Sequence, residues 1–599
     1  MKFPINVGLY DDNGLCYIGF QYNKELVDVI HGIPGAYFDR QQYLWILPIL
    51  MLKVFFAKVK RFKATIGLDI IYNIDTRIID MLKVDKDIDL GSIDLKSSLY
   101  DYQEAAVKCG IINKKFILGD EAGLGKTLEI IALTQYLREH EGLKRILVIC
   151  CINGNKYNWL EETLKHSNMK AHILGSRYKK RTGRLDPGGL KETVMDLREL
   201  PNAQVLIMNK ERLIGGRVKR KRGQRKTIDE FPIVRMLQQL IDKGEIGLIA
   251  VDEFHKLSAP TSAQSQALLW LNCERQIAMT GTLITNSPMD LYVPFKWMGW
   301  ELRDYWNFQN RYTIKDGWGS VIGYQNVQEL IDVLSVYQLR RLKKNVLNLP
   351  EKICKVEYVD MSNNEWKVYK AVQSGILHQA NGEETNPKDL RQGLFVVTPA
   401  MNPMTMSLRL RQATAATEIV SDVIHESSKM DRMEDIVAES ILNGEKVIIF
   451  SNWTTVTNIV RDRLCKYNPA YIIGEVDDDT RNKERLRFQE DDNCKVIIGT
   501  IPAMGTGYTL TAASVVIFMD EPWTEANRSQ AEDRAYRVGT KKTVTVYYLV
   551  CKDTVDEHVH DIVEQKGDVA DLVIDGTVNP NKKKQLFKML VGADPWSVK

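Results

Sequence analysis

Three clusters of residues have types and spacings that can do chemistry. In Phe116-Ile117-Leu118-Gly119-Asp120-Glu121-Ala122-Gly123-Leu124-Gly125-Lys126-Thr127, an apolar run enters a glycine loop, which opens a helical pattern through Leu128, Ile131 and Leu137. Such a loop cradles phosphates. Around Gly123, Leu124 and Gly125 the backbone N–H groups can close on the oxygens, Lys126 can reach the β and γ phosphates, and Thr127 can ligate magnesium. The strict pattern has glycine where Asp120 stands, and a chance glycine turn is the alternative. In the second cluster, Leu248-Ile249-Ala250-Val251 ends in Asp252 and Glu253, followed by Phe254-His255. Carboxylates at a strand end lie at the ligand edge of a parallel sheet, where Asp252 can hold magnesium and Glu253 can orient and deprotonate a water. A solvated acidic turn is the other reading. In the third, Gln530-Ala531-Glu532-Asp533-Arg534-Ala535-Tyr536-Arg537, the two arginines share a face if the segment is helical. They suit charge neutralisation on a γ-phosphate from a second lobe, although an R-x-x-R pair alone is usually a solvated helix face.

Short apolar runs separated by helical lengths position these clusters. The first set is Phe116–Leu118, Ile146–Cys150, Val205–Met208, Leu248–Val251 and Ile277–Met279; the second is Val447–Phe450, Tyr471–Ile473, Val496–Ile498, Val515–Phe518 and Val544–Tyr547. Runs apolar on both faces predict parallel strands covered by helices, hence two α/β lobes. The expected division is a small N-terminal domain over 1–90, lobe one over 91–300, a helical insertion and linker over 301–408, lobe two over 409–570, and a tail over 571–599.

The 599 residues carry 81 Lys and Arg against 77 Asp and Glu, so any nucleic-acid surface must be local. Two basic clusters offer one: Arg217-Val218-Lys219-Arg220-Lys221-Arg222-Gly223-Gln224-Arg225-Lys226 and Arg177 to Arg184. Both can grip a phosphate backbone, and a solvated loop or a targeting signal is the alternative for the first. Nine cysteines without a C-x-x-C pair suggest neither zinc nor a disulfide framework, and no leader or spanning segment is read, which predicts a reducing cytosol and no membrane.

The chain resembles the Swi/Snf (sucrose non-fermenting) family of superfamily-two helicase-like ATPases over about residues 95 to 565. Leu99-Tyr100-Asp101-Tyr102-Gln103 resembles an adenine-contacting L-x-x-Y-Q, and Asp120 to Thr127 resembles D-E-x-G-L-G-K-T. Thr280-Gly281-Thr282-Leu283-Ile284-Thr285-Asn286 resembles T-G-T-P-x-x-N with leucine in place of proline, and Leu339-Arg340-Arg341-Leu342-Lys343 through Leu349-Pro350 resembles L-R-R-x-K-x-x-V-x-x-x-L-P. Lobe two matches at Val447 to Trp453, Gly499-Thr500 through Gly505-Thr506-Gly507, Trp523, and Gln530 to Gly539; Thr540 stands where the family usually has glutamine. The segment Gly19-Phe20, Ile33 to Asp39 and Leu44 to Pro48 resembles the HARP-type module of annealing helicases.

The resemblance implies two RecA-like parallel-sheet lobes with a helical insertion and a small α+β N-terminal domain, using ATP and Mg2+. It assigns nucleotide contacts to Tyr102, Gln103, Asp120, Gly123, Leu124, Gly125, Lys126, Thr127, Gly505 and Gly507, and catalysis to Lys126, Asp252, Glu253, Gln530, Arg534 and Arg537. Coupling falls to His255, Thr280, Gly281 and Thr282, and DNA contact to Asn158, Trp159, Ser451, Asn452, Thr500 and Trp523. The expected activity is an ATP-dependent translocase on double-stranded, forked or branched DNA that anneals strands, migrates branches or remodels forks in repair and recombination. The alternatives are a translocase that displaces proteins from duplex DNA, and an ATP-switched DNA-binding scaffold without turnover. A monomer meeting replication or recombination proteins is expected, in the cytoplasm of a bacterial or phage-infected cell, or in the nucleus if eukaryotic.

Overall fold

The computed structural model describes residues 2–10, 15–31, 33, 36–48, 52, 55–56, 58–59, 69–75, 88, 90–91, 93–178, 185–186, 188–218, 227–299, 304–380, 403–421, 424–504 and 509–574. They form two compact bodies: one holds the described residues of 1–121, 125–342 and 569–599, the other 122–124 and 343–568.

The first body begins with a mixed sheet of β1 (Lys2–Leu9), β2 (Leu15–Phe20), β3 (Tyr37–Asp39), β4 (Leu44–Pro48) and β5 (Asp69–Ile74), ordered β3-β4-β2-β1-β5. Only β1 and β5 run parallel. Helix Lys24–His31 accompanies this sheet, giving the small α+β domain. Trp45 is buried with Ile5, Val7 and Ile18, whereas Tyr37 and Phe38 are exposed.

Lobe one follows with β6 (Lys115–Leu118), β7 (Ile146–Cys150), β8 (Ala171–Ile173), a ribbon of β9 (Arg177–Tyr178) and β10 (Leu185–Asp186), β11 (Val205–Asn209), β12 (Leu248–Asp252) and β13 (Arg275–Met279). After β13 come helix Tyr305–Tyr312, a hairpin of β14 (Thr313–Lys315) and β15 (Val321–Tyr324), helix Val327–Tyr337 and β16 (Gln338–Leu339). The main sheet is wholly parallel, ordered β16-β6-β13-β12-β7-β11-β8. Its central strands β7, β11 and β12 are buried on both faces, which is why they read as continuous apolar runs. Each fully buried Ile or Leu there contributes roughly 1.5–3 kcal/mol.

The second body's parallel sheet comprises β17 (Lys352–Val359), β18 (Val447–Ser451), β19 (Ala470–Ile472), β20 (Val496–Thr500), β21 (Val515–Phe518) and β22 (Val544–Cys551), ordered β17-β22-β21-β18-β20-β19. All ten apolar runs of the sequence are strands of the two parallel sheets. The stretch read as a helical insertion also contains strands: the β14–β15 hairpin, and β17, whose Lys-Ile-Cys-Lys-Val-Glu-Tyr-Val mixes charge with apolar residues because it lies at a sheet edge.

Candidate nucleotide and nucleic-acid sites

Sheet register builds the site in the first body. Leu339, Leu118, Met279, Asp252, Cys150 and Asn209 form one row across six neighbouring strands. The next residue along each chain, at the carboxyl edge, includes Arg340, Gly119, Thr280 and Glu253. Parallel sheets bind ligands at this edge because the loops leaving it open helices whose N–H groups point outward.

The glycine loop leaves β6 and enters helix Lys126–His140, with Gly123 and Gly125 at φ of 86° and 91°. A side chain at Gly125 would place its Cβ 2.5 Å from Gln103 Nε2, so this glycine serves close approach as well as backbone freedom, and one at Gly119 would meet the end of the Gln338 side chain. Lys126 Nζ donates to the carbonyls of Asp120 at 2.7 Å and Glu121 at 3.3 Å, which holds the ammonium within the loop. Gln103 is buried and its Oε1 accepts from Tyr100 N at 3.1 Å; the Tyr100 and Tyr102 rings stack at 5.6 Å.

Asp120 is fully buried and takes the backbone N–H and the guanidinium of Arg341, with Nε to Oδ1 at 2.9 Å. Arg341 also reaches Glu129 at 2.9 Å, and burial, reinforced by Asp120, pushes the Glu129 carboxyl well above the usual range. Beside it, Arg340 Nη1 donates to the carbonyls of Gly119 and Gly281, both at 2.9 Å. The L-R-R string therefore clasps the glycine loop and the Thr280 turn together.

Asp252 Oδ2 accepts from Asn155 Nδ2 at 2.9 Å and Trp159 Nε1 at 3.2 Å, while burial and then the neighbouring Glu253 push its carboxyl up to about 6. Glu253 sits at φ 53°, a left-handed conformation that costs a non-glycine residue about 1–3 kcal/mol and marks functional turns. His255 Nδ1 lies 3.0 Å from Thr280 Oγ1 and 3.3 Å from Glu253 Oε2, and burial lowers the imidazole to about 3, so it is neutral. Thr280 Oγ1 in turn donates to the Thr282 carbonyl at 2.9 Å. His255 thus joins the carboxylate strand to the Thr280-Gly281-Thr282 turn.

Trp159 requires a correction. It was assigned to DNA, but it is 1% exposed, packed with Leu133 and Val148, and spends its indole N–H on Asp252. Its helix, Asn155–His166, is amphipathic and turns this face inward; Asn158 is half-buried. Arg217 is exposed, with its guanidinium 5.2 Å over Phe231. Lys219, Arg220, Lys221, Arg222, and Lys179 to Arg184 lie outside the described residues, as do Gly505 and Gly507.

In the second body, Ser451 and Thr500 face each other across β18 and β20. Both are buried, so both are corrected from DNA contacts, and Ser451 Oγ, which donates to Asp520, supports the Asp520 turn. Asn452 donates to Asp520 and to the Glu521 carbonyl, the latter at 3.1 Å. Trp523, by contrast, is 46% exposed. The guanidinium of buried Arg411 lies 4.5 Å from its ring and 5.2 Å from Trp453, a pair of cation–π contacts that fix the ring's angle. Sequence reasoning missed Arg411 because nothing local marks it.

The R-x-x-R pair is not on a helix. Helix Glu525–Glu532, which carries buried Gln530, stops before Arg534 and Arg537, so they lie on the following turn and share no helix face. Lys343 pins that turn through Asp533 and, at 2.8 Å, the Tyr536 carbonyl. Thr540 closes it, with Oγ1 2.7 Å from the Arg537 carbonyl and accepting from Arg537 N at 3.0 Å. A threonine thus does structural work at the position where the family usually has glutamine.

The SNF2-related domain description matches residues 53–418, and the helicase conserved C-terminal domain description matches residues 428–539. The chain is 27% identical over 494 residues to an uncharacterised ATP-dependent helicase of Mycoplasma pneumoniae, covering 81% of this chain and 43% of that protein. It is 24% identical over 576 residues to the Drosophila melanogaster SWI/SNF-related matrix-associated actin-dependent regulator of chromatin subfamily A-like protein 1, covering 92% and 66%. It is 25% identical over 517 residues to the human DNA annealing helicase and endonuclease ZRANB3, covering 80% and 41%. The chain spans less than half the length of the first of these relatives. Among solved structures, the Sulfolobus solfataricus SWI2/SNF2 ATPase core in complex with dsDNA is similar at 21% identity and a TM-score of 0.36, over 84% of this chain and 99% of that one. With the SNF2-related description spanning most of its length, the chain belongs to the SNF2-related family of helicase-like ATPases.

Proposed function

We propose that this chain is an ATP-driven motor that moves on double-stranded or branched DNA. One observation carries the reading: the phosphate loop, the Asp252–Glu253 strand end and the Thr280 turn sit side by side at one sheet edge, tied by Arg340 and His255. An ATPase that converts hydrolysis into movement needs its phosphate-sensing and carboxylate elements linked to a turn that can shift.

Thr127 and Asp252 fit magnesium: one hydroxyl and one half-buried carboxylate oriented by Asn155 and Trp159. Held by Thr127 and Asp252, the ion would supply positive charge to offset the negative charge that develops on the phosphate oxygens. Lys126 holds the phosphates, and Glu253 orients and deprotonates the attacking water. The names of two relatives, a DNA annealing helicase and a regulator of chromatin, support DNA as the track. Exposed Trp523, braced by Arg411, and the Arg217 segment supply candidate contacts.

Remodelling of branched DNA is the preferred activity because the sequence segments Gly19-Phe20, Ile33 to Asp39 and Leu44 to Pro48 resemble the HARP-type module. Incubation with ATP and a protein-free fork separates the readings. Rewinding of the fork supports remodelling, while an enzyme that only strips proteins from duplex leaves it unchanged.

A further inference from the structure

The β14–β15 hairpin plays no part in the nucleotide site, yet its geometry is tightly specified. Its tip carries Trp318 at 96% exposure, between Gly317 and Gly319, where an added side chain would meet nothing within 4 Å. The backbone beneath is closed by Asp316, whose Oδ1 accepts from Trp318 N at 3.0 Å and Ser320 N at 2.8 Å, with Gly319 at φ 84°. The base is pinned as well. Lys315 Nζ donates to Gln309 Oε1 at 3.0 Å and Asn310 Oδ1 at 3.1 Å, and Asn326 Nδ2 donates to the Arg311 carbonyl at 2.8 Å. Arg311 then forks onto Glu329 at 3.1 and 2.8 Å, and buried Tyr312 donates to the same carboxylate at 2.7 Å.

Full exposure of an indole sacrifices the large burial energy a tryptophan can supply, and on a loosely held loop it would mean little. Here the ring is mounted on a backbone fixed to the core through Phe308 and Tyr312, so its height and position are preset. Neighbouring glycines leave space around it. An aromatic anchor in a protein interface is usually ringed by other side chains that exclude water; Val321 and Ile322 on β15 are exposed too, but at the tip the ring is flanked only by glycines, which suits a flat partner that stacks on it. Lys315, held only by neutral amide oxygens in those contacts, leaves a positive charge at the hairpin base for a phosphate.

We propose that the β14–β15 tip is a branch sensor in which Trp318 stacks on an unpaired nucleobase where DNA strands separate. This rests on the DNA reading above and adds the feature that distinguishes a junction from continuous duplex, whose base faces are hidden inside the stack.

The test compares wild type, Trp318→Ala and Trp318→Phe for binding to an end-capped duplex and to a fork carrying 2-aminopurine at the junction. Stacking predicts quenching by wild type and weaker quenching by Trp318→Phe. It also predicts an affinity loss of about five- to 150-fold for Trp318→Ala on the fork alone, the worth of one stacked base. An unchanged melting temperature controls for folding. Equal fork affinity for wild type and Trp318→Ala overturns the proposal and leaves the tip to a protein partner, and an equal loss on both DNAs overturns the branch preference. Wild type that binds neither DNA removes the DNA reading itself, and this inference with it.

Discussion

Asp120 and Arg341, separated by 221 residues in the sequence, meet in a two-pronged ion pair at the phosphate loop, with the Asp120 carboxylate fully buried. This explains why an acid stands where the loop pattern has glycine: the carboxylate is the anchor through which the L-R-R string holds the loop. Removing one partner strands a buried charge, so Arg341→Ala is expected to cost about 3–5 kcal/mol. Arg341→Lys should recover little, because an ammonium lacks the fork. Urea unfolding of these variants beside Asp120→Asn, with the double variant less damaging than the sum, checks the pairing.

Turnover should separate the roles of the site residues. Lys126→Ala is expected to lose both nucleotide affinity and hydrolysis. Glu253→Gln should bind ATP and hydrolyse it about 100- to 10,000-fold more slowly, the range of a lost general base. Arg537→Ala should bind ATP and turn over poorly. Nucleotide titration alongside steady-state hydrolysis distinguishes the three, and unchanged turnover in Arg537→Ala would remove that residue from catalysis.

The inward placement of Trp159 makes its own prediction. Trp159→Phe keeps most of the ring volume but deletes the N–H bonded to Asp252. A hydrogen bond to a charged group is worth about 1.5–3 kcal/mol, so turnover should fall about tenfold or more while duplex affinity holds. A selective loss of duplex affinity would restore Trp159 to the DNA surface.

His560, on helix Val555–Ile574, lies 2.6 Å from Glu521, and that hydrogen bond raises its imidazole above the ordinary value. Protonation is therefore favoured by folding. The stabilisation is fully present below the unfolded value of about 6.5 and is lost as pH rises through the higher folded value. The melting temperature of the second body should fall across that window in wild type, and His560→Gln should flatten the dependence. Since Glu521 also bonds Arg528 at 3.0 Å and lies two residues from Trp523, DNA affinity is expected to follow the same window.

Both parallel sheets were legible because strands covered on both faces must be apolar throughout, as Ile146–Cys150 and Val447–Phe450 are. What escaped was set by tertiary context. β17 alternates charge at a sheet edge, and β8 spans only three residues. Trp159 on an amphipathic helix reads alike facing inward or outward until the sheet beneath it is known. The spacing of Arg534 and Arg537 suggested a helix face, but the helix ends at Glu532 and Lys343 holds the turn from far along the chain. Chemistry-bearing residues were legible by local spacing, and Arg341 and Lys343 through the L-R-R string; the distant partners those two hold, and Arg411, were not.

The measurement that tests the central claim most directly is steady-state ATP hydrolysis by wild type and Lys126→Ala, without DNA and with single-stranded, duplex or forked DNA, at two salt concentrations. A DNA-driven motor predicts stimulation by duplex or fork that weakens with salt and vanishes in the variant. Turnover indifferent to every DNA would contradict it.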